Sequence, residues 1–388
     1  MPSPTPSPPG SPSRLAPPSQ PDEARSQIVE ADSASNHSST GENLYVAPPR
    51  ASPPRSRDED EGEDEANDDP VRSDMSTRSV TTSVFNFHRE NGRTYHGYRA
   101  GSYHFPNDAN EVDRLEYQHV LVNHCLQNKL FYAPIPPPPY PLAVLDIGTG
   151  TGNWAIEMGD LYPEGMIEAT DLSPIQPSAV PANVQFIIDD AEQSDWAIPD
   201  NHYDFVHTRI LEGCFSDMGA VIATAFKHIK PGGFLESQEL NPFPHCDDGT
   251  MPDDWPFAKY VDKLQEASLE VGRELDVAPK LRGWFEAAGF VDVQQRVFKA
   301  PLGRWPKDPA MKDLGHWWAE NMSVGLAAFS LAYFSRVLGW STDEIELYLV
   351  DVRKSLMDRD VHAYHRMYVV WGRKPEVGEV VPGKAPAS

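Results

Sequence analysis

Three carboxylates and a run of glycines fall at the ends of successive apolar stretches of this chain, at a spacing suited to gripping a nucleoside. The first, Asp146, lies within Val144-Leu145-Asp146-Ile147, directly before Gly148-Thr149-Gly150-Thr151-Gly152. Glycine lacks a Cβ and tolerates unusual φ, so such a turn after a strand lets the backbone approach a ligand closely. A carboxylate beside the turn can pair with a cationic group such as an ammonium. The second is Asp171, 25 residues further on, after Ile167-Glu168-Ala169-Thr170. There it can accept hydrogen bonds from two ribose hydroxyls, each contributing about 1.5–3 kcal/mol when the acceptor is charged. The third lies in Asp189-Asp190-Ala191-Glu192, where Asp190 suits an adenine amino group and the Ala191 amide a ring nitrogen. The plain alternative for that pair is solvation, since Asp is common in turns. Trp196, which follows, reads as core more readily than as an adenine wall.

The glycines follow GxGxG. The dinucleotide pattern GxGxxG would put its third glycine at position 153, which is Asn153. An acid at the end of the second strand serves NAD as well as S-adenosylmethionine, so these residues alone leave both cofactors open. Beyond the fourth strand lie His207, Arg209 and Glu212. His207 suits a general base by its ordinary pKa, against the reading of a satisfied structural histidine. Arg209 suits either steering of an anionic group or anchoring of a loop. His245-Cys246-Asp247-Asp248 has metal-ligand residue types, but adjacent residues cannot all turn toward one ion, so a solvated loop and no metal are expected. The aromatics from His316-Trp317-Trp318 to Tyr333 read as core packing, or as the lining of a substrate cavity.

The elements that must hold these residues alternate. Strands are expected at Ala143–Ile147, Met166–Thr170, Val184–Ile188, Tyr203–His207 and Phe234–Gln238. Helices separate them at Asn153–Leu161 and from the Asp217 cap to Ile229, with Pro231-Gly232-Gly233 turning into the fifth strand. Strands spaced by helices give right-handed crossovers and a parallel, doubly wound α/β sheet. Later come helices over Trp255–Arg273, Leu281–Gly289 and Asp343–Arg353, and strands over Val291–Phe298 and Tyr364–Trp371. Ahead of the sheet, a Tyr- and Gly-dense loop over residues 91–103 precedes a helix from Ala109 to about Leu130, capped by Asn107 or Asp108. The domain boundaries follow: a Pro/Ser-rich, acidic, disordered tail over 1–75, a domain over 85–375, and a disordered tail over 376–388. The domain divides into a leader (85–140), a cofactor-binding core (141–240), a helical cap with insertions (241–355) and a closing strand (360–375).

Composition limits the partners. The net charge is −25, and residues 1–75 hold 6 Lys/Arg against 15 Asp/Glu and 14 of the 38 prolines. Burial cannot offset the ordering entropy of such a tail. An acidic surface without a Lys/Arg cluster argues against direct nucleic-acid binding. Cys125, Cys214 and Cys246 match no disulfide or metal spacing, which points to a reducing compartment. The first residues lack a secretory pattern, and the apolar stretch Val324–Trp340 is broken by Ser330, Ser335 and Arg336, so no membrane span is expected. Cytoplasm or nucleus is the expected location.

The ordered set of Leu145-Asp146-Ile147-Gly148-Thr149-Gly150, Thr170-Asp171-Leu172-Ser173-Pro174, Asp189-Asp190-Ala191-Glu192 and Ile229-Lys230-Pro231-Gly232-Gly233 resembles the class I S-adenosylmethionine-dependent methyltransferases. The leader Asn91-Gly92-Arg93-Thr94-Tyr95-His96 through Tyr103, with Pro106-Asn107-Asp108, and the closing Gly372-Arg373-Lys374-Pro375 resemble the fungal LaeA-like members, which are related to regulators of secondary metabolism. The resemblance spans about 85–375. It implies a seven-stranded, mostly parallel, Rossmann-like sheet with a C-terminal antiparallel hairpin and a helical cap. It places Asp146 and Gly148 near the methionine part of the cofactor, Asp171 at the ribose, and Asp190 and Ala191 at the adenine, with Gly150 and Gly152 as further cofactor-binding residues of the turn. Tyr95, Tyr103 and Asn107 of the leader would close over it. The implied function is methyl transfer to a small-molecule or protein acceptor. The rival is a regulatory protein with protein partners that binds the cofactor with little or no turnover.

Overall fold

A computed structural model describes residues 85–99 and 103–379. The expected tail over 1–75 and positions 380–388 of the expected C-terminal tail lie outside the described residues. Strands β1 (His88–Glu90) and β2 (Arg93–Tyr95) form an antiparallel hairpin where the sequence suggested only a structured loop. Its turn is Asn91-Gly92, with φ of 51° and 75°. Two successive positive φ values are what a two-residue hairpin turn requires, and Asn-Gly adopts them at low strain. Helix α1 (Ala109–Cys125) is capped by Asp108, whose Oδ1 accepts the Glu111 N–H at 3.2 Å. It stops short of Leu130, the chain turning instead through Gln127 and Asn128 at φ of 59° and 58°.

The main sheet has seven strands: β3 (Ala143–Ile147), β4 (Met166–Asp171), β5 (Val184–Ile188), β6 (Tyr203–Arg209), β7 (Ile229–His245), β8 (Val291–Pro301) and β9 (Tyr364–Arg373). Their order is β5-β4-β3-β6-β7-β9-β8. The pairs from β5 to β7 are parallel, and β9 runs antiparallel to both β7 and β8. This is the expected doubly wound sheet, with its order reversing between β3 and β6. β8 and β9 pair from Val291↔Arg373 to Pro301↔Tyr364, but helices α6 (Pro309–Arg336) and α7 (Thr342–Leu356) join them in place of a tight turn. β7 begins earlier than expected because Pro231-Gly232-Gly233 is drawn into the strand as an irregularity. There Gly232, at φ 80°, donates its N–H to the Lys374 carbonyl at 2.9 Å.

Successive strand residues point to opposite faces, and each face has its own core. Val144 and Phe205 pack with α1, with α2 (Asn153–Leu161), with α4 (Pro256–Glu270) and with α6 and α7. Leu145 and Val206 pack on the other side with α3 (Met218–His228) and α5 (Leu281–Ala288). Asp217 caps α3 and Gly289 ends α5 in the left-handed region, both as the sequence indicates. α6 is longer than any expected helix. Neighbouring aromatics on it diverge by about 100°, so Trp318 is fully buried while Trp317 is 45% exposed. Among the described residues no helix is long and apolar enough to cross a membrane.

Candidate functional site

The strand tips of β3, β4, β5 and β6 open on a cleft roofed on one side by the leader and α1. Asp146, Gly148, Gly150, Asp171, Asp190 and Ala191 all line it, as do Tyr103 and Asn107. The sequence-derived carboxylates therefore meet around one cavity.

The turn after β3 is open because Gly148, Gly150 and Gly152 take φ of 67°, 59° and 82°. They are not equivalent. A Cβ on Gly150 would face open cleft, its nearest neighbour being Leu115 Cδ1 at 3.9 Å, whereas one on Gly148 would stand 2.5 Å from Leu211 Cδ2. Gly152 lies away from the cleft, and its Cβ would strike the Phe186 ring at 2.4 Å. Gly152 is thus corrected from a cofactor contact to a packing residue that lets α2 start against β5. The turn is held from both sides: Gly150 donates its N–H to Asp171 Oδ2 at 2.8 Å, and Gln176 Nε2 donates to the Gly150 carbonyl at 2.7 Å. Asp171 Oδ1 accepts the Ser173 N–H at 2.8 Å. Burial pushes the Asp171 carboxyl up to about 6; the two N–H donors oppose the shift and the Asp146 charge adds to it.

Asp146 is 3% exposed, and its Oδ1 meets His207 Nδ1 at 2.8 Å. The two residues are register partners on neighbouring parallel strands. His207 is fully buried, stacks on Trp154 with ring centroids 3.7 Å apart, and does not line the cleft. Burial lowers its pKa against the pull of Asp146, so the ring is neutral. The expectation of His207 as the base is corrected: it cannot reach a substrate, and it orients Asp146 from beneath.

Two residues along β6 the strand reaches the cleft, and there stands Arg209. Its Nη2 donates to His119 Nδ1 at 2.7 Å, and His119 Nε2 meets Glu157 Oε1 at 2.8 Å. This line fixes the imidazole with its proton on Nε2. Arg209 Nη1 is buried without a hydrogen-bond partner at the cleft wall, and burial pulls the guanidinium down to about 10. His119 and Gln118, on α1, were not singled out as site residues in the sequence; the helical period alone does not show which polar position faces the sheet tips.

At the opposite end Asp190 Oδ1 accepts the Glu192 N–H at 3.0 Å, and Oδ2 lies 3.6 Å from Arg99 Nε. The Ala191 carbonyl accepts from Trp196 Nε1 at 3.2 Å, and Trp196 stacks on His228 in the core, as its residue type suggested. In the leader, Thr94 Oγ1 donates to Asn107 Oδ1 at 2.9 Å, and Asn107 Nδ2 faces Ser173 Oγ at 3.5 Å across the cleft rim. Tyr95 does not reach the cleft. It is 2% exposed beneath the Arg336 guanidinium, 5.0 Å from its ring centroid, because alternation along β2 turns it toward α6; its expected cofactor contact is corrected. The His245–Asp248 side chains do not converge on one point: Asp247 goes to Tyr364 and Lys299, while Asp248 accepts from His362, Thr250 and the Cys246 thiol. Among the described residues no group of His, Cys, Asp and Glu is placed to hold a metal ion.

The cleft's geometry fits a sulfonium nucleoside. Gly150 presents a cradle that a Cβ would fill, Arg209 offers an orphaned guanidinium nitrogen to an anionic group, and Asp146 and Asp171 line the walls between.

The family model described as "Methyltransferase domain" matches residues 117–295. The chain is 43% identical over 305 residues to methyltransferase pytC of Aspergillus terreus, covering 78% of this chain and 93% of that protein. It is 34% identical over 290 residues to secondary metabolism regulator LAE1 of Cochliobolus heterostrophus, covering 74% and 94%. It is also 34% identical over 297 residues to protein-methionine methyltransferase laeA of Emericella nidulans, covering 74% and 77%.

Proposed function

The chain belongs to the S-adenosylmethionine-dependent methyltransferases, with homologues in fungal secondary metabolism, and from that premise we propose that its own cleft binds the cofactor and that residues 85–375 form the working unit. The single observation that supports this most is the convergence of Asp146, Gly150, Asp171 and Asp190 on one cavity. In this reading Asp171 accepts the ribose hydroxyls and Asp190 with the Ala191 amide meets the adenine. Gly148 and Gly150 let the backbone approach, Asp146 takes the ammonium, and Arg209 Nη1 takes the carboxylate of the methionine part. His207 is a positioning residue for Asp146, and Tyr103 and Asn107 close the rim.

The bound cofactor supplies a methyl group already activated on a sulfonium. The chain has then to hold a nucleophile in line at about 3–3.5 Å and exclude water. Calorimetry tests the reading: S-adenosylmethionine and S-adenosylhomocysteine are expected to bind with micromolar constants, and NADH not to displace them at millimolar concentration. Absence of heat at millimolar cofactor sinks the reading.

The acceptor is a small molecule or a protein side chain. A second reading, a regulatory protein with slow turnover and protein partners, draws on the relatives named as regulators. Rapid turnover of a defined acceptor, retained after removal of residues 1–75, counts against it. The three cysteines carry no disulfide, which suits the cytoplasm or the nucleus.

A further inference from the structure

A second cavity opens from the cleft past Tyr103, Leu115, Gln118, Ile210 and Cys214, which line both spaces. Its walls come from elements outside the nucleoside-gripping core. α4 contributes Phe257, Tyr260 and Val261, and α6 contributes Met322, Leu326 and Phe329.

Nearly every polar group in these walls is already engaged. Arg114 Nη2 donates to Glu111 Oε1 at 2.6 Å, Arg114 Nη1 donates to Gln118 Oε1 at 2.6 Å, and the guanidinium lies over the Phe329 ring. His365 Nδ1 accepts the Trp318 indole N–H at 3.1 Å, and burial lowers the His365 pKa to about 3, so its acceptor nitrogen is taken and the ring stays neutral. Tyr260 shares a hydrogen bond with Ser330.

The exceptions are His365 Nε2, a buried ring nitrogen without a partner, and the acidic Glu212. Glu212 lies three residues beyond the end of β6, and its Oε2 is buried without a hydrogen-bond partner. Behind it Glu239 takes the Leu211 N–H at 2.7 Å. A buried carboxyl oxygen left unpaired costs several kcal/mol, so its presence in an apolar chamber calls for a donor that arrives with a ligand. Burial holds the Glu212 carboxyl well above the usual carboxylate range. A cation bound in the adjoining cleft favours its ionised form. The same cation repels a second positive charge, so a neutral O–H suits the chamber better than an ammonium.

Resting on the reading of the first cleft as the cofactor site, we propose that this second cavity is the acceptor chamber, that it takes a small, largely apolar, neutral molecule bearing one hydroxyl, and that Glu212 receives the hydroxyl proton. The acceptor oxygen forms the new bond to the methyl carbon as the sulfur–methyl bond breaks. Sulfur keeps that electron pair, and the hydroxyl proton passes to the Glu212 carboxylate.

The test uses the full chain with 2-naphthol and 2-methoxynaphthalene as fluorescent probes, titrated with and without S-adenosylhomocysteine. The second has a methyl in place of the hydroxyl proton, and the Glu212→Leu comparison separates the lost proton from the added bulk. The wild-type chain is expected to bind 2-naphthol at least about fivefold more tightly, a buried acceptor left unpaired costing about 1–3 kcal/mol. In Glu212→Leu the preference is expected to fall below about twofold, with 2-methoxynaphthalene held as before; Glu212→Gln, which keeps a carbonyl acceptor, is expected to retain part of it. Equal affinities in the wild type overturn the proposal, and so does an undiminished preference in Glu212→Leu. Failure of the cofactor reading is distinguishable: S-adenosylhomocysteine would then give no heat and no effect on the titrations, while the hydroxyl preference would persist.

Discussion

Asp171→Ala is expected to weaken S-adenosylmethionine binding at least about 100-fold. Two hydrogen bonds to a charged acceptor contribute about 3 kcal/mol or more together, and 1.4 kcal/mol is a factor of ten. The carboxylate also holds the turn through the Gly150 and Ser173 N–H groups, so its removal loosens the cradle and the ribose grip together. Thermal stability of the free protein is expected to change little: the lost N–H acceptor is offset by removal of a charge that burial disfavours. The pH dependence has a defined sign. Hydroxyl donors favour the ionised carboxylate, whose pKa lies at about 6 in the free chain. Affinity should therefore rise with pH through that value, level off above it, and fall toward tenfold per pH unit well below it. In Asp171→Ala this step should disappear. Calorimetry from pH 5 to 8 reads both effects, and a wild-type affinity in Asp171→Ala would remove the ribose assignment.

Gly150→Phe is expected to abolish measurable cofactor binding while leaving the protein folded. Position 150 is in the left-handed region, where a side chain costs about 1–2 kcal/mol, but a Cβ there meets nothing closer than Leu115 at 3.9 Å. The ring would enter the cleft. A loss of only a few degrees in Tm, with no calorimetric heat, is the expected pair of results. Unchanged affinity would show that the ligand does not pass over this turn.

The strand–turn–helix arrangement around Asp146 and Asp171 was readable because an acid at a strand tip beside a glycine turn has few other uses, and because the apolar runs mark the strands plainly. What misled was facing. His207 and Asp146 are register partners, so the histidine lies beneath the carboxylate, and Arg209, one pleat further on, reaches the cleft. Gly152 follows the same pattern as Gly150 but backs onto Phe186 of β5, a contact that spacing along the chain does not contain. Tyr95 belongs to a hairpin that the Asn91-Gly92 pair could have signalled, and its direction depends on α6, more than 200 residues away in sequence. The second cavity is built from α1, α4 and α6; the apolar stretch over 316–333 reads equally as core or as a cavity lining, and only the fold shows that Met322, Leu326 and Phe329 within it face the open space. Glu212 stood out only as a polar residue after a strand; its unpaired oxygen is a property of the packed fold.

The most direct measurement is a crystal structure of the full chain grown with S-adenosylhomocysteine. Ribose hydroxyls within hydrogen-bond reach of Asp171, adenine against Asp190 and the Ala191 amide, and the sulfur directed toward Ile210 and the chamber beyond are the arrangement expected. A nucleoside bound anywhere else, or an empty strand-tip cleft at saturating ligand, would contradict it.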